Sequence, residues 1–246
     1  MNNSNLIIVV SHKNGKIEDH IPYKPILVGK NICKEKSYWQ DDIGENIANK
    51  NRNYCELTAL YWVWKNQNDN FDIFGLNHYR RFFKGRNGNT LSNKEINVFL
   101  KKYDIILPKK LYWKKTVCEN YYKNGNGFRK DLIIIRDILL DKYPEYVETF
   151  DYVLGKNSSS YYNMFVMKKI NFNNYCTWLF DILFESEKKI DISGYDTQEA
   201  RVFGYLAEIL INVWVFKNNM KIKYLPIKNT NFFLFNIRMG IRNIIN

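Results

Sequence analysis

Apolar positions in this chain fall into short unbroken runs that alternate with longer periodic stretches. Residues 6–10, within LIIVVSH, are an unbroken apolar run, which predicts a strand buried on both faces of a parallel sheet. The run ends in Ser11 and His12, polar groups at a strand's C-terminal end, where open α/β sheets bind ligands. Residues 13–40 read as loop, with a short second strand at PILVG. YCELTALYWVWKN, residues 54–66, is apolar on every side of a helix and so predicts a buried one. A strand is predicted over 71–83, in FDIFGLNHYRRFF, and another at YDIILP, stopped by Pro108. DLIIIRDILLDKYPEYVETF predicts helix broken or kinked at Pro144. A strand over 161–167 and an amphipathic helix in NNYCTWLFDILFE follow. YDTQEARVFGYLAEILINVWV predicts one long helix, residues 195–215. It carries Val202, Leu206, Ile209 and Val213 on one stripe and Arg201, Tyr205, Glu208 and Asn212 on another. IKYLPI adds a short strand. The alternation of strands and helices, without repeat or linker, predicts a single α/β domain over 1–246 with a mostly parallel central sheet flanked by helices.

Composition narrows the partners. At 46% hydrophobic residues a sizeable core is available, and wholesale disorder is excluded. The net charge of +12 points to an anionic partner. The lysines are scattered among asparagines and no nucleic-acid motif is present, so a phosphorylated small molecule or an acidic membrane surface ranks above nucleic acid. No two of the four cysteines form a CxxC pair, which leaves zinc and redox chemistry without a motif; Cys55 and Cys176 read as core thiols. No leader and no membrane-length apolar run is seen, which predicts a cytoplasmic chain. The segment 231–246, NFFLFNIRMGIRNIIN, mixes aromatic and basic residues. It suits either peripheral contact with the inner face of an anionic membrane or packing as a last helix.

Four features carry candidate chemistry. The strand over 71–83 ends in His78, Arg80 and Arg81; if fully extended, it puts His78 and Arg80 on one face and Arg81 on the other. Such a cluster reads as a diphosphate clamp, because guanidinium forks match phosphate oxygens. The structural alternative is an ion pair with Glu56, the one charge inside its apolar helix, which burial would force to find a cation or donors. The stretch DDIGENIANKN, with Asn46 and Asn51, reads as a metal, ribose or base site, or as a solvated loop and helix cap. YDTQEAR places Asp196 three residues before Glu199, a near-match to a capping box that also suits a carboxylate facing a cleft. Nucleophile elbows, Walker loops and dinucleotide fingerprints are missing from the sequence.

The combination NYCELTALYWVWKN, GLNHYRRFF, YYNMFVMKK, YCTWLFDIL and RVFGYLAE is more specific than any one piece. It resembles a bacterial family of capsule and exopolysaccharide loci, long catalogued as of unknown function, whose members are taken as glycosyltransferases, some of them galactofuranosyltransferases. The order of pieces is similar to that of GT-A nucleotide-diphospho-sugar transferases. The resemblance implies a GT-A-like domain that moves a sugar from a nucleotide diphosphate donor, UDP-linked, to a glycan or lipid-linked glycan acceptor. It implies Ser11, His12, Asn46, Asn51 and Glu56 at or bracing the donor, and Asn163 and Gln198 at sugar or acceptor. Asp196, then Glu208, is the expected base of an inverting reaction. One departure matters: NHYRR stands where GT-A enzymes carry a metal-binding Asp-x-Asp. His78, Arg80 and Arg81 are therefore expected to replace the ion, and Mn²⁺ or Mg²⁺ as a supplement stays open. The alternative function is a non-catalytic carbohydrate- or phosphate-binding module of a polysaccharide assembly complex.

Overall fold

The computed structural model describes residues 5–12, 19–29 and 38–229. The segment 231–246 lies outside the described residues, and with it the expected membrane contact. Strands β1 (Asn5–Ser11), β2 (Tyr23–Leu27) and β3 (Trp39–Gln40) come first. Helices α1 (Asn51–Tyr54) and α2 (Leu57–Asn66) precede β4 (Ile73–His78) and β5 (Arg81–Phe83). Next come α3 (Asn93–Phe99), β6 (Ile105–Pro108) and β7 (Leu111–Tyr112). Helices α4 (Val117–Lys123), α5 (Arg129–Lys142) and α6 (Val147–Gly155) follow, with the expected break at Pro144 between the last two. The described chain closes with β8 (Ser158–Ser159), β9 (Phe165–Lys168), α7 (Lys169–Lys189), α8 (Val202–Lys217), β10 (Ile222–Leu225) and β11 (Ile227–Asn229).

The main sheet has the order β10-β6-β9-β4-β1-β2-β3, and β5 and β11 extend it from β4. Junctions β10–β6, β4–β1, β1–β2 and β2–β3 are parallel. Strand β9 runs antiparallel to both β6 and β4. The sheet is thus mostly parallel, with β9 reversed near its middle and β5 reversed against both β4 and β11. The apolar run of β1 explains its central place. Leu6, Ile8 and Val10 enter the larger core with α2, α5, α7 and α8, while Ile7 and Val9 enter a smaller core on the other face. Gly75 lets β4 sit tightly between its neighbours: a Cβ there would lie 2.9 Å from the Phe165 carbonyl oxygen and 3.1 Å from Ile7 Cγ1.

Four expected elements differ, each for a local reason, and each difference lies at one end of the sheet. The helix over 54–66 breaks at Cys55, whose backbone (φ 52°, ψ −129°) no helix accommodates. The strand over 71–83 is a hairpin: β4 stops at His78, Tyr79 and Arg80 turn, and His78 pairs with Arg81. Residues opposite one another in an antiparallel pair project to the same face, so His78 shares its face with Arg81 rather than Arg80. The strand over 161–167 starts only at Phe165, because Tyr162 (φ 78°) and Asn163 (φ 50°) are left-handed. The helix over 195–215 becomes a short 3₁₀ turn, Glu199–Arg201, followed by α8.

Candidate functional site

These irregular segments meet beyond the C-terminal ends of β1 and β4. Here a cavity of about 520 Å³ is bounded by Val10, His12 and Val28 from the strand ends, by the break between α1 and α2, by the β4–β5 turn, and by α8. Its wall carries Arg52, Arg80, Arg81 and Arg201 together with His12 and His78, against the two carboxylates Glu56 and Glu208. Among the described residues none of the four guanidiniums makes a salt bridge to a carboxylate. Three lie over tyrosine rings: Arg80 over Tyr79 at 4.7 Å, Arg81 over Tyr162 at 4.3 Å and Arg201 over Tyr205 at 5.5 Å. Stacking of this kind orients a guanidinium without neutralising it, so the wall keeps its positive charge for a ligand.

The polar stripe of α8 builds the far side. Asn212 exchanges two hydrogen bonds with the Ser160 backbone, accepting at 3.0 Å and donating at 2.9 Å. Glu208 Oε1 accepts from the Tyr162 N–H at 2.9 Å, and the Gly204 carbonyl accepts from Asn163 Nδ2 at 3.0 Å. Successive turns of one helix thus hold residues 160–163 in place, the left-handed pair among them. Strain of this kind persists only where the surroundings over-determine it, and it concentrates at functional sites. The Tyr162 carbonyl in turn receives His78 Nε2 at 2.6 Å. A carbonyl can only accept, so Nε2 carries the hydrogen and Nδ1 is the other face of the ring.

Glu56 does not form the expected ion pair with Arg80 or Arg81. It stands at the N-terminal end of α2, where its side chain makes no capping hydrogen bond, and accepts from Asn163 Nδ2 at 2.6 Å. The positive end of a helix and an amide donor accommodate a carboxylate without a salt bridge. Glu208 has the most perturbed carboxyl of the site. Burial first, and the neighbouring Glu56 charge second, push it up to about 8, against opposing pulls from the Tyr162 N–H, Arg81 and Arg201. Cys55 Sγ accepts from Arg201 Nε at 3.2 Å, and burial raises its thiol to about 11, so it is a neutral thiol near pH 7.

The other expected site residues divide between wall and support. Ser11 is buried at the end of β1, beside the wall residue His12. Asn51 lines the cavity and stitches the α1–α2 break, donating to the Cys55 carbonyl at 2.8 Å and to Thr58 Oγ1 at 3.1 Å. Asn163 sits buried behind Glu56. Asn46 is not on the wall; it closes a local turn, donating to the Gly44 carbonyl and accepting from the Ala48 N–H. Asp196 and Glu199 form the capping-box pair, each side chain accepting from the other's backbone N–H at 2.8 and 3.0 Å. Asp196 and Gln198 are exposed, and the residue between them, Thr197, is the one on the wall. Among the described residues no cluster of three or more His, Cys, Asp or Glu is arranged to hold a metal ion. No helix among them is long and apolar enough to cross a membrane.

The family described as "Domain of unknown function (DUF4422)" matches residues 6–219, nearly the whole chain. The chain belongs to the DUF4422 family. A solved structure of the bifunctional glycosyltransferase WbbM, in its apo form, is similar over 93% of this chain, with 32% sequence identity and a TM-score of 0.85. The DUF4422 chain spans 46% of that protein. No curated protein sequence matches it. The mostly parallel α/β sheet flanked by helices is therefore an architecture shared with part of a glycosyltransferase, as the GT-A-like reading of the sequence expects.

Sequence reasoning about this DUF4422 domain missed Arg52, Tyr79, Tyr162, Thr197 and Arg201 as wall residues. Arg201 was within reach, since it shares a helical stripe with Tyr205, Glu208 and Asn212. Arg52 lies in a polar segment with no periodicity, and Tyr162 enters through a backbone conformation that side-chain patterns do not announce.

Proposed function

We propose that this DUF4422 domain is a glycosyltransferase that binds a nucleoside-diphosphate sugar in the cationic cavity. The observation that carries the reading is the set of four guanidiniums without carboxylate partners among the described residues, with two imidazoles, around a cavity beyond the ends of parallel strands. The similarity to WbbM supports the same reaction class. A diphosphate is the ligand such a wall suits, and the cavity volume suits a nucleotide. The donor is UDP-linked with galactofuranose a candidate sugar, and the acceptor is a glycan or lipid-linked glycan of capsule, O-antigen or exopolysaccharide synthesis.

The chemistry follows from the charges. As the bond from the sugar's anomeric carbon to the diphosphate oxygen breaks, its electron pair stays on the diphosphate. Arg80, Arg81 and Arg201 meet that developing charge already oriented by their tyrosines, so little reorganisation is needed at the transition state. An acceptor hydroxyl attacks the anomeric carbon, and in an inverting transfer a carboxylate takes its proton. Glu208 is better suited to this than Asp196, whose oxygen is engaged by two backbone N–H groups. A carboxyl titrating near 8 is a strong base once ionised. The test is a thermal-shift comparison of UDP-, GDP-, CMP- and dTDP-sugars, followed by assay of nucleotide release. Stabilisation by UDP-sugars and release of UDP support the proposal. Failure of every nucleotide sugar to stabilise the protein overturns it.

A further inference from the structure

A second cavity, of about 180 Å³, adjoins the first, and Glu208 belongs to both walls. Their linings differ in kind. The first is cationic; the second has no Lys, Arg or His among its described lining residues. It is built instead from Trp113, Tyr161, Tyr205, Asn120, Asn126 and apolar side chains. We propose that this second cavity is the subsite for one neutral pyranose ring of the acceptor, with Glu208 between that ring and the donor. The inference rests on the donor reading of the first cavity and deepens it by naming the acceptor's chemical class.

Three observations carry it. Charge comes first: an anionic ring would meet the Glu208 carboxyl with no cation among the described lining residues to offset it, whereas a neutral polyol meets no such penalty. Shape is second. The cavity equals about six waters at ~30 Å³ each, the size of one sugar ring rather than a nucleotide. Trp113 and Tyr161 meet edge to face at 4.7 Å, an aromatic corner against which the apolar C–H face of a pyranose packs. The third is unused hydrogen-bonding capacity. The Tyr161 and Tyr205 hydroxyls and the Asn126 side-chain amide take no partner among the described residues, and neither does Glu208 Oε2, since Tyr162 occupies only Oε1. Polar groups lining a cavity without protein partners are satisfied by water or by a hydroxylated ligand. Burial and the Glu208 charge hold the Tyr161 phenol well above its ordinary range, so it stays a hydrogen-bond donor at all working pH values.

The experiment is saturation-transfer NMR with methyl glycosides of glucopyranose, galactopyranose and mannopyranose, run with and without UDP, on the wild type, Trp113→Ala and Tyr161→Phe. UDP affinity is measured separately. At least one glycoside is expected to receive saturation in the wild type, with UDP absent or present. Trp113→Ala should weaken it at least tenfold, and Tyr161→Phe, which keeps the ring and loses only the hydroxyl, severalfold. UDP affinity should stay within twofold in both. Absence of glycoside binding, competition between glycoside and UDP, or full glycoside binding in both variants overturns the subsite and leaves the donor reading intact. Glycoside binding with the expected losses, in a protein that does not bind UDP, overturns the donor reading and keeps the sugar subsite.

Discussion

Replacing Glu208 by Gln separates stability from activity in a way that only a strained carboxyl allows. The group titrates near 8 in the folded protein against an ordinary 4.5. At about 1.36 kcal/mol per unit the difference is an upper limit of about 5 kcal/mol, which water in the two cavities reduces to about 2–4 kcal/mol. The sign follows from proton counting. Between pH 4.5 and 8 the folded protein holds a proton that the unfolded chain has released, so the stability present below the unfolded value is progressively lost as pH rises through that window. Gln cannot ionise and keeps an oxygen for the Tyr162 N–H. The Glu208→Gln variant should match the wild type near pH 4.5, gain steadily above it, and reach its full advantage past pH 8. Urea unfolding followed by fluorescence of the six tryptophans, at unit pH steps, reads this directly. Transfer should meanwhile fall by about 10²–10⁴, the usual contribution of a general base. Wild-type kcat/KM should rise with pH toward 8. A stability advantage of Glu208→Gln that is independent of pH, or that shrinks as pH rises, refutes the argument.

Other outcomes follow from the same geometry. Arg80→Ala or Arg81→Ala should weaken UDP binding by about 1.5–3 kcal/mol in calorimetry while leaving the urea midpoint unchanged; wild-type affinity in both would remove the clamp. Glu56→Gln keeps an acceptor for Asn163 Nδ2 and removes the charge that helps raise Glu208, so the stability window should move to lower pH, and an unchanged window would mean the two carboxyls are independent. Activity should persist in excess EDTA, and abolition by chelation with rescue by Mn²⁺ would assign an ion to the acidic residues instead. Gly75→Ala forces a methyl group against the Phe165 carbonyl and should cost about 1–3 kcal/mol in urea unfolding without changing UDP affinity.

The repeating parts of this fold are legible in the chain. The β1 run, the all-round apolar α2, the break at Pro144 and the long amphipathic helices each follow from composition and period, because burial on one or two faces leaves a regular trace. The cationic strand end and the Glu208 stripe were also visible, since both lie on regular elements or at their ends. Tertiary structure decided what the irregular segments do. It turned the 71–83 strand into a hairpin, so that His78 and Arg81 rather than Arg80 share a face. It bent Cys55, Tyr162 and Asn163 into left-handed backbone, a conformation local sequence disfavours; at Tyr162 and Asn163 the α8 hydrogen bonds enforce it. It gave Glu56 an amide donor in place of an arginine and set it near Glu208, 152 positions along the chain. A carboxyl's pKa depends on what lies within a few ångströms, and residues far apart in sequence acquire that proximity only when the chain folds.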